Sequence, residues 1–289
     1  MAQQRTTYGI IGYPVKHSLS PAMHNAAFAE LGVDAEYKLF EVKEDDLGDF
    51  FTKLREKNSP IFGLNVTIPY KQAVLKYLDI ISPFAKKLQS VNTIVISDDR
   101  KLTGYNTDGP GFLAHLAELQ FDTRGKRITV LGAGGTTRAI VAVLCLVPER
   151  PESIRIYNRT PEKTKALIED LSSRLDLSIV DSVNSVDDLN IELADLLINT
   201  TSLGMNPEDT CLVDESLLHS NLLVYDVVYT PSETPLLKMA KNKGALIANG
   251  LGMLYYQGVL AFQHWAETQL DDNVKNKMRE SLIQAARQK

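Results

Sequence analysis

The sequence predicts an α/β protein of two domains, and three observations carry that expectation. Apolar runs of strand length alternate with segments of helix length, the alternation starts again in the second half near Ile128, and 289 residues are enough for two cores of ordinary size. With 44% hydrophobic and 23% charged residues the composition is that of a globular chain rather than a disordered one.

In the first half, strands are expected at residues 8–12, 36–42, 62–68 and 93–96, and helices at 21–31, 46–56 and 70–78. Pro21 suits the first turn of a helix, where its missing amide proton has no partner to lose, and Ser20 is placed to cap that helix. Asp98-Asp99-Arg100-Lys101 reads as the tip of a hairpin between 94–96 and 102–105. In the second half, strand 128–131 leads to helix 136–146, strand 154–157 to helix 161–175, and strands at 196–199 and 222–228 to helix 234–243. The segment Ala139-Ile140-Val141-Ala142-Val143-Leu144 is apolar almost all round, as a helix packed tightly on a sheet must be. Strands separated by such helices predict a parallel sheet with covered faces. After 245–248 and Asn249-Gly250-Leu251-Gly252-Met253, a long helical tail runs to about residue 287.

A net charge of -5 argues against a general nucleic-acid binder, whose surface would carry a basic face. The two cysteines, Cys145 and Cys211, have no metal-ligand spacing and read as reduced thiols. His17, His24, His115, His219 and His264 show no metal spacing either, so no metal is expected. Met1-Ala2-Gln3-Gln4-Arg5 leads directly to the first strand without a signal core, and no apolar run reaches membrane-spanning length. A cytoplasmic protein is expected, monomer or homodimer.

Four short stretches carry chemistry. Asn65-Val66-Thr67-Ile68-Pro69-Tyr70-Lys71 and Gly104-Tyr105-Asn106-Thr107-Asp108 each set one charge, Lys71 or Asp108, after an apolar strand-like run. Gly132-Ala133-Gly134-Gly135 follows a strand and opens a helix, the context of a dinucleotide fingerprint, although Thr137 stands where a third small residue is usual. The next strand ends in Asn158-Arg159-Thr160, with Lys163 and Lys165 beyond. Where an NAD enzyme carries an acid for the ribose hydroxyls, this chain offers a neutral amide and a guanidinium, which suits a 2′-phosphate. A solvated basic helix start accounts for the same residues, and a lysine at a helix start or an aspartate at a cap needs no catalysis.

Taken in order, these stretches resemble the shikimate dehydrogenase family nearly end to end. The resemblance implies a mixed-sheet substrate domain over 1–105, completed by C-terminal helices over 250–289, and a Rossmann-type NADP-binding domain over 106–249. It implies NADPH-linked reduction of 3-dehydroshikimate to shikimate, a step toward chorismate and the aromatic amino acids, with Lys71 and Asp108 paired at the reacting oxygen. In Ser18-Leu19-Ser20-Pro21-Ala22-Met23-His24-Asn25 it assigns Ser18 and Ser20 to the substrate carboxylate, with Tyr229 as a third donor, and it assigns Thr67, Asn92 and Gln257 to ring hydroxyls. On the cofactor side it assigns Gly132, Ala133, Gly134, Gly135, Asn158, Arg159, Thr160 and Lys163. Thr201, Ser202, Val227, Gly250 and Met253 fall on the nicotinamide side. Val227 stands where relatives often carry a bulkier residue, and Lys163 where arginine is common. Two other readings are a dual quinate/shikimate dehydrogenase using NAD or NADP, and a non-catalytic NADP-sensing regulator.

Overall fold

The computed structural model describes residues 5–206 and 208–288; the opening segment read as lacking a signal core lies, apart from Arg5, outside them. The chain divides into two compact units, one formed by residues 1–111 with Leu254–Gln288, the other by Phe112–Met253.

The first unit is built on a mixed six-stranded sheet. Its strands are β1 (Thr6–Gly12), β2 (Ala35–Glu41), β3 (Ile61–Val66), β4 (Ile80–Ile81), β5 (Thr93–Ile96) and β6 (Leu102–Tyr105), in the order β2-β1-β3-β5-β6-β4. β1 runs parallel to β2 and β3, whereas β5 is antiparallel to both β3 and β6. On one face Ile11, Leu64 and Ile94 pack with Phe51 and Leu54 of helix α2 (Leu47–Leu54). On the other, Tyr8 meets Phe28 of α1 (Ser20–Glu30) and Trp265 of α8 (Leu251–Ala266). The indole N–H of Trp265 donates to the Ile94 carbonyl at 3.0 Å, so its polar edge is satisfied within the apolar layer. The helical tail is broken: Asp271 caps α9 (Asp272–Arg287) by accepting from the Val274 amide at 2.9 Å, which starts a new helix. Short helix α3 (Pro83–Leu88) precedes β5, and α4 (Asp108–Glu118) follows β6 and carries the chain into the second unit.

Two local expectations are corrected, and the hairpin tip, which is where it was expected, has an unexpected role. Residues 70–78 form no α-helix but a 3₁₀ turn over Ala73–Tyr77, because the Lys71 carbonyl is taken by the Val91 amide at 2.8 Å and cannot serve a helical turn. Ser20 is the first residue of α1 and makes no cap, since it is turned inward and only 2% exposed. Arg100, at the hairpin tip, is buried: its guanidinium donates to the Leu54 carbonyl at the end of α2 and to the Ile61 carbonyl at 2.9 Å, and lies over the Phe62 ring. A cation at a helix C-terminus meets the unpaired carbonyls and the negative end of the dipole.

The second unit holds a parallel sheet of β7 (Arg127–Leu131), β8 (Ser153–Tyr157), β9 (Val180–Val183), β10 (Leu196–Asn199), β11 (Leu223–Asp226) and β12 (Leu246–Asn249), ordered β12-β11-β10-β7-β8-β9. All five pairings are parallel. The chain therefore builds outward one way from β7, then returns to β10 and builds the other way, the doubly wound Rossmann order. Helices α5 (Gly135–Leu146), α6 (Pro161–Ser172) and α7 (Pro235–Asn242) join the strands. α5 is buried from Thr137 to Cys145, as its all-round apolar sequence requires. Among the described residues no helix is long and apolar enough to cross a membrane.

Candidate active site

Strand register gathers the first unit's polar residues at one sheet edge. Ile11 pairs with Val66, Asn65 with Thr93, and Thr93 with Tyr105. The segments that follow β1, β3 and β6, and the one that precedes β5, must then leave from the same side. A Cβ at Gly12 would strike the Thr67 side chain, so glycine lets two of these exits converge.

Lys71 and Asp108, far apart in sequence, meet there. The ammonium donates to Asp108 Oδ2 at 2.7 Å, with side chains 17% and 9% exposed. Backbone ties place both residues. Lys71 hangs on the Val91 amide, and its neighbour Tyr70 is buried with its hydroxyl on the Val42 carbonyl at 2.6 Å. Asp108 opens α4, and its amide donates to Asn106 Oδ1 at 3.1 Å while Asn106 itself donates to the Ser90 carbonyl. Asn92 supplies the remaining partner, donating to Asp108 Oδ1 at 2.8 Å and to Thr107 Oγ1 at 3.0 Å. An amide nitrogen has two protons, and those two contacts use them. Gln257 Oε1, at a longer 3.4 Å from the same nitrogen, keeps accepting capacity for another group. Gln257 is brought in by close helix packing, since a Cβ at Gly111 would lie 2.7 Å from its backbone nitrogen.

The other expected substrate residues divide. Ser18 Oγ accepts from the Ser20 amide at 3.2 Å, and both serines lie on the loop and helix start that follow β1. Thr67, half-buried just past β3, has its amide on the Ile11 carbonyl at 2.9 Å. Tyr229 belongs to the second unit and stands half-buried beyond β11, with burial raising its phenol pKa.

In the second unit the strand order reverses between β7 and β10, and ligands of such sheets bind at the carboxyl ends of the strands at that point. Gly132 leaves β7 with φ +107, a conformation that side chains disfavour, and a Cβ there would meet Thr200 Oγ1. Thr137, the departure from the fingerprint, is fully buried and locks the turn: its hydroxyl donates to the Gly132 carbonyl at 3.0 Å and meets Thr200 Oγ1 at 2.7 Å. Ala133 is half-buried, whereas Gly134 and Gly135 are exposed. Gly134 is the cap of α5, makes no side-chain cap bond, and has nothing within 4 Å of a built Cβ. The free amides and positive dipole end of α5 therefore face open space, suited to an anion.

At the end of β8, Asn158 donates to the Thr160 carbonyl at 2.8 Å and so shapes the turn into α6. Arg159, Thr160 and Lys163 are exposed, and neither Arg159 nor Lys163 has an ion pair among the described residues. Thr201, after β10, is held by Asn199, and Ser202 next to it is exposed. Gly250 packs directly on the Val227 backbone, where a Cβ would overlap its carbonyl oxygen. Met253 is buried, and its backbone bonds the Tyr225 hydroxyl.

Several supporting residues fall outside the expected set. Asn65, Thr93 and Thr107 bind Asn92 or its neighbours, and Asn65 and Thr107 sit inside the two quoted motifs. Asp226 is fully buried at the end of β11, accepting from Asn199 at 2.9 Å, Thr234 at 2.6 Å and the Val228 amide at 3.1 Å. Burial raises its carboxyl pKa, and those three donors oppose the rise. A charged residue closing the apolar run Leu-Val-Tyr-Asp was its signal in the sequence.

Residues 10–94 match the model of the shikimate dehydrogenase substrate binding domain, and residues 115–206 that of shikimate / quinate 5-dehydrogenase. The chain is 42% identical over 284 residues to shikimate dehydrogenase (NADP(+)) of Geobacillus kaustophilus, covering 97% of this chain and 98% of that one. Among solved structures it resembles shikimate 5-dehydrogenase of Thermus thermophilus in complex with NADP(H) and shikimate, with TM-score 0.81 and 34% identity over 96% of this chain and 99% of that one. It also resembles quinate dehydrogenase of Corynebacterium glutamicum in complex with NAD, with TM-score 0.87 and 30% identity over 97% and 99%. On this evidence the chain belongs to the shikimate dehydrogenase family.

Proposed function

We propose that this protein catalyses the reversible NADPH-linked reduction of 3-dehydroshikimate to shikimate. The observation that carries the proposal is the Lys71–Asp108 pair, held by Asn92 at an edge that also presents Ser18, Ser20, Thr67 and Gln257. Bound NADPH supplies the hydride to the carbonyl carbon. As that carbon accepts the hydride, the carbonyl π electrons move to oxygen. The Lys71 ammonium lies against that oxygen and stabilises the growing charge, and the Lys71–Asp108 pair provides its proton. Asp108 holds the ammonium in place, and in the reverse direction the pair removes the hydroxyl proton. Ser18 and Ser20 hold the carboxylate; Thr67 and Gln257 hold ring hydroxyls, and Asn92 joins them by exchanging its contact with Thr107 Oγ1 for one, while keeping Asp108. On the cofactor side, the bare Gly134 and the open start of α5 fit a pyrophosphate, and the unpaired Arg159 with Lys163 fits a 2′-phosphate. The two free thiols fit a reducing, cytoplasmic compartment.

The test is absorbance of reduced nicotinamide with shikimate or quinate and with NADP or NAD. Shikimate with NADP is expected to be fastest. Quinate adds a hydroxyl beside its carboxylate, and two serines gripping that carboxylate leave it little room, so an unpaired hydroxyl there costs about 1–3 kcal/mol. That predicts a kcat/KM for quinate about one to two decades lower. Arg159→Ala is expected to weaken NADP by about one to two decades and leave NAD within twofold, the value of a partly exposed charge-assisted pair. Equal use of quinate and NAD would move the chain to the dual-specificity group, and equal loss of both cofactors in Arg159→Ala would remove the clamp.

A further inference from the structure

We propose that the Tyr37 hydroxyl is a positioning group for the catalytic pair, acting through a chain of buried side chains that ends on Asp108. The proposal rests on the assignment of Lys71 and Asp108 made above. Tyr37, on β2, is 3% exposed and donates to Asn65 Oδ1 at 2.7 Å. Asn65 in turn donates to the Asn92 carbonyl at 3.2 Å and to Thr93 Oγ1 at 3.3 Å. A carbonyl only accepts, so the Asn65 nitrogen is fixed on that side and its oxygen must face Tyr37. Thr93 donates to Asn92 Oδ1 at 3.1 Å, and the Thr107 amide donates to the same oxygen at 2.7 Å. A backbone amide only donates, so the Asn92 amide has one orientation, with its nitrogen on Asp108 Oδ1 at 2.8 Å. Asp108 is thereby left with Oδ2 toward Lys71.

The first link matters because a side-chain amide turns over easily unless each end meets its matching partner. Without the Tyr37 proton, the buried Asn65 oxygen loses its 2.7 Å donor and is left with the neighbouring His24 ring alone, and a turned amide relieves the loss only by misplacing the Asn92 carbonyl and Thr93. The proton is always available: burial pushes the phenol well above its ordinary range, with Ser20 opposing that shift only partly. The Ser20 side chain reaches the same hydroxyl, so Tyr37 touches the carboxylate-binding segment as well. Its ring stacks on His24 at 4.5 Å, a contact that phenylalanine keeps.

Tyr37→Phe therefore deletes one hydroxyl from an otherwise unchanged core. It is expected to lower kcat about tenfold, raise KM for shikimate, displace the pH profile of kcat, and leave the dissociation constant for NADP unchanged. Thr93→Val removes the next link and is expected to lower kcat and displace the profile likewise, which provides the readout if Tyr37→Phe does not fold. A folded variant with wild-type kcat and an unmoved pH profile overturns the relay, even where its melting temperature falls. Lys71→Ala measured in parallel separates the two levels. If it is inactive while Tyr37→Phe is normal, only the relay fails; if it turns over normally, the site assignment fails.

Discussion

Lys71→Ala is expected to fold, to bind NADP as the parent does, and to lose about 10²–10⁴-fold in turnover, the usual contribution of a positioned proton-transfer group. The fold is spared because the backbone at position 71 is anchored independently of its side chain, through the Val91 amide and the neighbouring Tyr70. Cofactor binding is spared because the glycine turn belongs to the other compact unit. Turnover falls because no other cation is bonded to Asp108 among the described residues. Asp108→Asn is a sharper form of the same test. An amide can still present oxygen to Asn92, but its NH₂ then faces the Lys71 ammonium, donor against donor. Side-chain size is kept and the pair is broken, so a similar loss is expected. Steady-state rates with saturating shikimate and NADP, together with fluorescence titration of NADPH, check both variants. Turnover of Lys71→Ala within a few-fold of the parent would sink the proposed chemistry.

What the sequence made legible was local chemistry and its order. The strand, glycine turn and helix from Ile128 through Thr137 obey rules that act over a few residues, and the structure has them where expected. The Rossmann order and the mixed first sheet followed from family resemblance, because an apolar run does not carry the direction of its neighbour. Failures arose where a tertiary bond overrode a local preference. Residues 70–78 have helical composition, yet the Lys71 carbonyl is taken by the Val91 amide ahead of β5 and only a 3₁₀ turn remains. Ser20 has the chemistry of a cap but is buried against Tyr37. The hairpin tip at Arg100 was legible, but not that its guanidinium serves carbonyls contributed by α2 and β3. Tyr37 itself looks like any half-buried strand tyrosine. Its role depends on which strand lies beside β1, and no spacing within the chain encodes that.

Gly132→Ala is the second large effect, expected to weaken NADP binding by 10²-fold or more, on the order of 3 kcal/mol, while the first unit keeps its affinity for shikimate. Two independent penalties fall on one methyl group. At φ +107 an alanine is strained by roughly 1–3 kcal/mol. Its Cβ would also meet Thr200 Oγ1, and that oxygen cannot retreat freely: it donates to the Leu131 carbonyl at 2.7 Å and meets Thr137 at 2.7 Å. Overpacking of this kind costs about a further 1–3 kcal/mol. The chain relieves both by shifting the turn between β7 and α5, which moves the amides proposed to hold the pyrophosphate. Gly125→Ala is the comparator, with φ +64 but nothing within 4 Å of its Cβ. It carries backbone strain alone, in a turn before β7, and is expected to lower the melting temperature without changing the NADPH dissociation constant. Fluorescence titration of NADPH against both variants, with shikimate binding measured by calorimetry, distinguishes a displaced turn from a weakened fold. If Gly132→Ala binds NADPH within threefold of the parent, the pyrophosphate is not held at this turn.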